Sequence, residues 1–117
     1  MCIIIIKQKN KVVPREVLKT SSRINPHGLG IVWLDTFETT YHKSREYKVL
    51  YTDRPYIAHF RYATVGKVCR ANTHPFVCGH NKHELLMMNG TVHGYGNKNM
   101  TDTEDLAIKL GRTPRHT

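Results

Sequence analysis

The sequence lacks both a long apolar run and a paired set of cysteines. Its run of isoleucines covers only residues 3–6, whereas a membrane-spanning helix needs about 20 apolar residues, and no charged leader with an apolar segment precedes it. The three cysteines, Cys2, Cys69 and Cys78, are an odd number without the spacing of a disulfide framework. We therefore expect a soluble cytoplasmic protein with free thiols and no membrane partner.

The sequence is also poor in acidic residues. It has 9 Asp plus Glu against 18 Lys plus Arg, so its formal net charge is +9. Such a charge attracts nucleic acid or anionic substrates, but here it is spread along the chain, which argues against nucleic acid as the partner. With 117 residues and a hydrophobic fraction of 39%, residues 1–117 are expected to form a single globular domain.

The residue patterns predict an α+β fold composed mainly of strands. Strands are predicted at residues 3–6 (buried), in 25–35 after a turn, and at 47–52, 56–64 and 84–90. Helices are predicted at residues 14–23, which begin with a proline, and at 101–111, which begin with a capping box and end at a glycine. A polar loop is predicted over residues 65–83.

The second residue is a cysteine, and this position has a chemical meaning. If the initiator methionine is removed, Cys2 carries a nucleophilic thiol and a free α-amine in one residue. An α-amine has a reference pKa of about 7.7 to 8.0, so it is suited to move protons near neutral pH. The alternative is that Cys2 is the first residue of a buried strand, because free cysteine behaves as a small hydrophobic residue.

Several motifs follow Cys2 in a specific order. They are "HFRYATVGKVCRANTHPF" at residues 59–76, Asn-Gly at 89–90 and "TDTE" at 101–104, while "NPHGLGIVW" lies at 25–33. The ordered set resembles the glutaminase domain of the class II glutamine amidotransferases, which are N-terminal nucleophile enzymes. In that family the N-terminal Cys is followed by H-x-R-[WY]-A-T-x-G, N-x-H-P, Asn-Gly and an acidic S/T-D-T-E segment.

The resemblance implies a catalytic set. Cys2 matches the nucleophile that attacks the side-chain amide of glutamine, forms a glutamyl thioester and releases ammonia. Asn89 and Gly90 match the oxyanion hole, in which a side-chain amide and a backbone N–H point at the developing negative charge. A hairpin turn is the commoner explanation of an Asn-Gly pair, and both explanations are compatible here.

The resemblance also implies a binding site for free L-glutamine. Arg61 matches the residue that binds the α-carboxylate, and Asp102 matches the one that pairs with the α-ammonium. Tyr62 and Thr64 are expected to line the same pocket. The alternatives are a surface arginine on an edge strand for Arg61 and a helix-capping role for Asp102.

The fold that the resemblance implies is the four-layer αββα sandwich of N-terminal nucleophile hydrolases. Family domains are longer than 117 residues, so we expect a short or incomplete sandwich that lacks its C-terminal part. The implied partner is an ammonia-accepting synthase domain or subunit, and no cofactor or metal is implied. A chain that binds glutamine without hydrolysing it is an alternative.

A second alternative comes from a cluster of potential zinc ligands. Its members are Cys69, His74, Cys78, His80 and His83. Thiolates and imidazoles bind zinc, and the positive net charge would suit a small nucleic-acid-binding module. Their spacing matches no standard zinc motif, however, and His74 already belongs to the family-like "NTHP" segment.

Overall fold

A four-stranded antiparallel sheet forms the centre of the domain. The computed structural model describes residues 2–62, 73–78, 84–87, 104 and 107–108. The elements are β1 (Ile3–Lys7), α1 (Arg15–Ile24), β2 (Leu29–Trp33), β3 (Glu38–His42), a 3-10 helix (Ser44–Leu50), β4 (Tyr56–Phe60), β5 (Phe76–Cys78) and β6 (Glu84–Leu86). The strand order is β1-β4-β2-β3, and β5 pairs with β6 in a second sheet. The described part is therefore a small mixed α/β domain.

One face of the main sheet, here called the core face, packs against the helices. Because side chains alternate along a strand, the register places Ile3, Phe60 and Leu29 side by side on this face. Leu18 from α1 and Leu50 from the 3-10 helix pack in the same cluster, and both are almost fully buried. This cluster is the hydrophobic core of the described residues.

The opposite face of the sheet, here called the second face, carries a different set of residues. Ile4, His59 and Gly30 lie in register on this face, and the segment 73–75 contacts it at Gly30. Ile4 and Ile6 are 38% and 69% exposed. The prediction of a buried strand at residues 3–6 is thus correct for the strand but wrong for its burial, because only alternate isoleucines reach the core.

Helix α1 confirms the prediction for residues 14–23, displaced by one residue at each end. Pro14 occupies the N-cap position with φ −55°, and Glu16 and Arg23 place charges of favourable sign in the first and last turns. Most of the buried residues of α1 are serines, which have short side chains with a hydroxyl group. Ser22 Oγ donates a hydrogen bond to Ser44 O at 2.7 Å, which ties α1 to the start of the 3-10 helix.

Two of the predicted elements need correction, and one observed strand was not predicted. Residues 47–52 do not form a strand, because the 3-10 helix Ser44–Leu50 begins where the backbone N–H of Lys43 donates to Glu46 Oε1 at 2.7 Å. Strand β3 was not predicted, since its polar sequence lacks apolar alternation. Strand β5 lies inside the predicted loop 65–83.

The remaining predictions are only partly covered by the described residues. Strand β4 confirms the first five residues of 56–64, and β6 confirms the first three of 84–90. Glu104, Ala107 and Ile108 are helical, as predicted for 101–111, and Ala107 is buried. Arg61, Tyr62 and Met87 are described but lie beyond the ends of these strands, and the other residues of the three ranges lie outside the part that the structure describes. No helix in the described ranges has the length and apolar content needed to cross a bilayer.

We predict that Gly30→Ala destabilises the fold severely. A Cβ atom built on Gly30 would lie 1.4 Å from the backbone oxygen of His74, so β2 and the segment 73–75 would have to separate. Chemical denaturation should show a loss of at least about 3 kcal/mol in the free energy of unfolding. The control Ile6→Ala changes an exposed side chain on the same sheet and should cost about 1 kcal/mol or less. Equal losses in the two variants would contradict the close contact.

Candidate active site

The described residues that the sequence motifs identified lie together at one end of the main sheet. Ile3 pairs with Phe60, and Phe60 pairs with Leu29 on its other side. The residues just beyond these pairs are Cys2 before β1, Arg61 after β4 and Gly28 before β2. They therefore lie together at the same end of the strands, and this end of the sheet is here called the site edge.

The thiol of Cys2 lies against the backbone of Tyr62. The Tyr62 N–H donates a hydrogen bond to Cys2 Sγ at 3.4 Å, and Sγ is 3.9 Å from Tyr62 O. Cys2 is half-buried. The sulfur is thus positioned by the backbone but accessible from solvent. The alternative that Cys2 is the first residue of a buried strand is wrong, because β1 begins at Ile3 and is only partly buried.

Arg61 is held in place by its backbone and is 3% exposed. Its N–H donates to Gly28 O at 2.9 Å, and its carbonyl accepts from His27 N–H at 3.0 Å. The alternative of a surface arginine on an edge strand is therefore wrong, because β4 lies between β1 and β2 and the side chain is buried. A guanidinium is rarely buried in this way without a structural or functional reason.

Two histidines stack beside Arg61 on the second face. The rings of His59 and His74 are 4.1 Å apart between centroids and nearly parallel, at 9°. Burial is the largest cause that lowers the pKa of His74 from 6.5 to about 3, and the neighbouring His59 and Arg61 contribute to the same shift. His74 is therefore neutral at physiological pH.

The segment 73–75 is attached to the sheet at three points. Gly30 leaves room for the His74 backbone, and Tyr41 Oη donates a hydrogen bond to Pro75 O. Gly28 has a φ of +139°, a conformation that glycine adopts readily, and it lies beneath Thr73. These contacts place His74 next to the site edge.

A cleft of about 730 Å³ opens at the same edge, on the side of β3 and α1. The basic residues that line it are Arg23, His27, His42, Lys43 and Arg45. The ring of His27 contacts that of Tyr62, with centroids 5.1 Å apart, so the cleft begins next to the residue that holds the thiol.

The structure brings together three of the predicted site residues, namely Cys2, Arg61 and Tyr62. The other four lie outside the described residues: Thr64, Asn89, Gly90 and Asp102. Sequence reasoning assigned no role to His59. A signal for it exists, because His59 and Arg61 are two positions apart at the end of a strand and residues with that spacing share a face.

The candidate zinc cluster is only partly described. Cys69, His80 and His83 lie outside the described residues, and Cys78 is on β5. The fifth member, His74, is stacked on His59. Within the ranges that the structure covers, no group of three or more potential ligands is arranged to hold a metal ion.

Comparison with known proteins adds no assignment. No protein-family model matches the sequence, no curated protein matches it, and no solved structure matches the fold.

We predict that His74 makes stability fall in mild acid. In the unfolded chain His74 is protonated near pH 6.5, whereas in the folded protein it is protonated only near pH 3. The free energy of unfolding therefore decreases as the pH falls through this range. The contribution to the slope is at most about 1.4 kcal/mol per pH unit. His74→Phe keeps a flat ring against His59 and should remove this contribution, as measured by denaturation between pH 7 and 4.

The control for this measurement is Leu18→Ala. Leu18 is fully buried and does not titrate, so its loss should lower stability by about 2 to 5 kcal/mol at every pH and leave the slope unchanged. An identical slope in wild type and His74→Phe would contradict the assignment to His74.

Proposed function

We propose that the chain is a glutaminase of the class II amidotransferase type. In this proposal it hydrolyses the side-chain amide of L-glutamine and delivers ammonia to an acceptor on a partner domain or subunit. The observation that carries the proposal is the juxtaposition of the half-buried Cys2 thiol with the buried Arg61 at one sheet edge. Both residues were identified from sequence motifs. They are 59 positions apart in the sequence, so local structure alone does not bring them together.

The reaction requires a nucleophile and a base. With Met1 removed, the α-amine of Cys2 takes the thiol proton while sulfur attacks the amide carbon of glutamine. The resulting tetrahedral oxyanion collapses when the C–N bond breaks and the same proton passes to the leaving nitrogen, which departs as ammonia. Water then attacks the glutamyl thioester, and glutamate and the free thiol are formed. Asn89 and Gly90 are the proposed oxyanion donors.

Substrate recognition is proposed to rest on paired charges. The planar guanidinium of Arg61 is suited to a bidentate hydrogen bond with the α-carboxylate of glutamine. Its burial excludes competing water, which strengthens such a contact. Asp102 is proposed to bind the α-ammonium, and Tyr62 and Thr64 to line the pocket. Together the two charges would select a free amino acid over a peptide.

The layering of the described elements supports an N-terminal nucleophile hydrolase fold. The core face is covered by α1 and the 3-10 helix, so a helical layer lies on a sheet layer. Cys2 directly precedes β1, Arg61 directly follows β4, and the strand register assigns both to the second face. The segment 73–75, which leads into β5, contacts the same face. We propose that the β5–β6 sheet belongs to the second sheet layer of an αββα sandwich.

We predict that Cys2→Ala abolishes both covalent labelling and ammonia release. The glutamine analogue diazo-oxo-norleucine should modify wild-type protein at one cysteine, which peptide mass spectrometry identifies. Cys69→Ala and Cys78→Ala are the matched controls and should retain labelling at Cys2. Modification of Cys69 or Cys78 in place of Cys2 would refute the proposed nucleophile. Protein that retains Met1 should be inactive, because its α-nitrogen is then an amide.

We predict that Arg61 and Asn89 affect different kinetic constants. Arg61→Lys keeps the charge but loses the planar fork, so KM for glutamine should rise by about tenfold to a hundredfold, or about 1.5 to 3 kcal/mol. Asn89→Ala should lower kcat by about a hundredfold with little change in KM, since an oxyanion donor acts mainly in the transition state. Thermal unfolding of each variant checks that the fold is intact.

Two results would overturn these roles. A rise in KM of equal size in both variants would show that Asn89 is a binding residue and not an oxyanion donor. Saturable glutamine binding by wild-type protein with Met1 removed, without turnover, would show a glutamine-binding domain that has no glutaminase activity.

A further inference from the structure

The described lining of the cleft at the site edge is rich in positive charge. Three of its lining residues, Arg23, Lys43 and Arg45, carry permanent positive charges and are exposed at its surface. They come from the last turn of α1 and from the start of the 3-10 helix, with Ser22 and Ser44 hydrogen-bonded between these elements. The fold therefore holds the elements that bear the cations at a set distance across the cleft.

Among the described residues, negative charge is scarce around the cleft. Glu46 is the one carboxylate among the described lining residues, and its Oε1 already accepts the Lys43 N–H. Three other described carboxylates lie at the opposite end of the sheet: Asp35 follows β2, Glu38 is the first residue of β3, and Asp53 precedes β4. In the described lining of the cleft, three lysines and arginines thus stand against one carboxylate, without counting His27 and His42.

We propose that this cleft binds a phosphorylated small molecule. The surplus of two positive charges matches a phosphate monoester, which is close to a dianion at neutral pH, better than it matches a single carboxylate. The volume of about 730 Å³ is in the range of small-molecule sites and far exceeds the needs of phosphate alone. The organic part of the ligand then occupies the space beside the rings of His27 and His42.

The site is separate from the proposed glutaminase site. Cys2 and Arg61 are not among the cleft residues, and binding there requires neither the thiol nor the α-amine. The described links between the two sites are the contact between the His27 and Tyr62 rings and the backbone hydrogen bonds of Arg61 with His27 and Gly28. Failure of one proposal therefore leaves the other standing.

The test is isothermal titration calorimetry of the full chain at constant ionic strength. The probes are inorganic phosphate, glycerol 3-phosphate and adenosine monophosphate, with glycerol, adenosine and the dicarboxylate succinate as comparisons. We expect saturable one-to-one binding of at least one organic phosphate, at least tenfold tighter than inorganic phosphate, and no saturable binding of glycerol or adenosine.

Two double variants separate the cleft from the general positive charge. Arg23→Gln with Arg45→Gln removes two cleft cations, whereas Lys19→Gln with Lys48→Gln removes two exposed cations from the same two helices outside the cleft. The first pair should weaken organic-phosphate binding at least tenfold, and the second less than twofold. Lys43→Glu is a further cleft variant, read by the same titration, should the first pair fail to fold.

Each other outcome overturns the proposal. Equal losses in the two double variants would show attraction to net charge alone. Succinate binding as tight as that of the organic phosphates would show a carboxylate site. Binding of inorganic phosphate with no gain from an organic group, or no saturable binding of any phosphate, would exclude a phosphorylated ligand.

Discussion

The absence of a side chain at Gly30 is the constraint on which the site edge depends. It lets the backbone of His74 approach a central strand more closely than any other residue would allow. Once the segment 73–75 is in place, the His74 ring stacks on His59 and Thr73 reaches the cleft. The second face of the sheet is therefore organised by one close backbone contact, whereas the core face is organised by the burial of large apolar side chains.

The fold could be predicted from the sequence where the signals are local. The isoleucines of β1 and the proline before α1 act over a few residues, and both elements were predicted to within one residue at each end. Residues 47–52 were predicted as a strand, because their apolar residues suit both structures, whereas the 3-10 helix Ser44–Leu50 begins with hydrogen bonds between Lys43 and Glu46. Strand β3 was missed because its polar residues are held by pairing with β2.

The candidate site shows the same division between local and long-range information. Cys2, Arg61 and Tyr62 were identified from motifs, and antiparallel pairing of β1 with β4 brings them to one edge. The stacked histidines could not be predicted, since their contact depends on how 73–75 packs on the sheet. The cleft is also assembled from α1, β3 and the 3-10 helix, and no short stretch of sequence encodes its charge.

The pairing of β1 with β4 has a consequence for the kinds of sequence change that the site edge can tolerate. Successive strand residues face opposite sides, so β1 can accept many substitutions among its isoleucines while its length remains constrained. One inserted or deleted residue between Cys2 and the paired positions would turn the thiol toward the core face covered by α1. Natural variation in this strand should therefore appear as replacement of residues and never as a shift of one position.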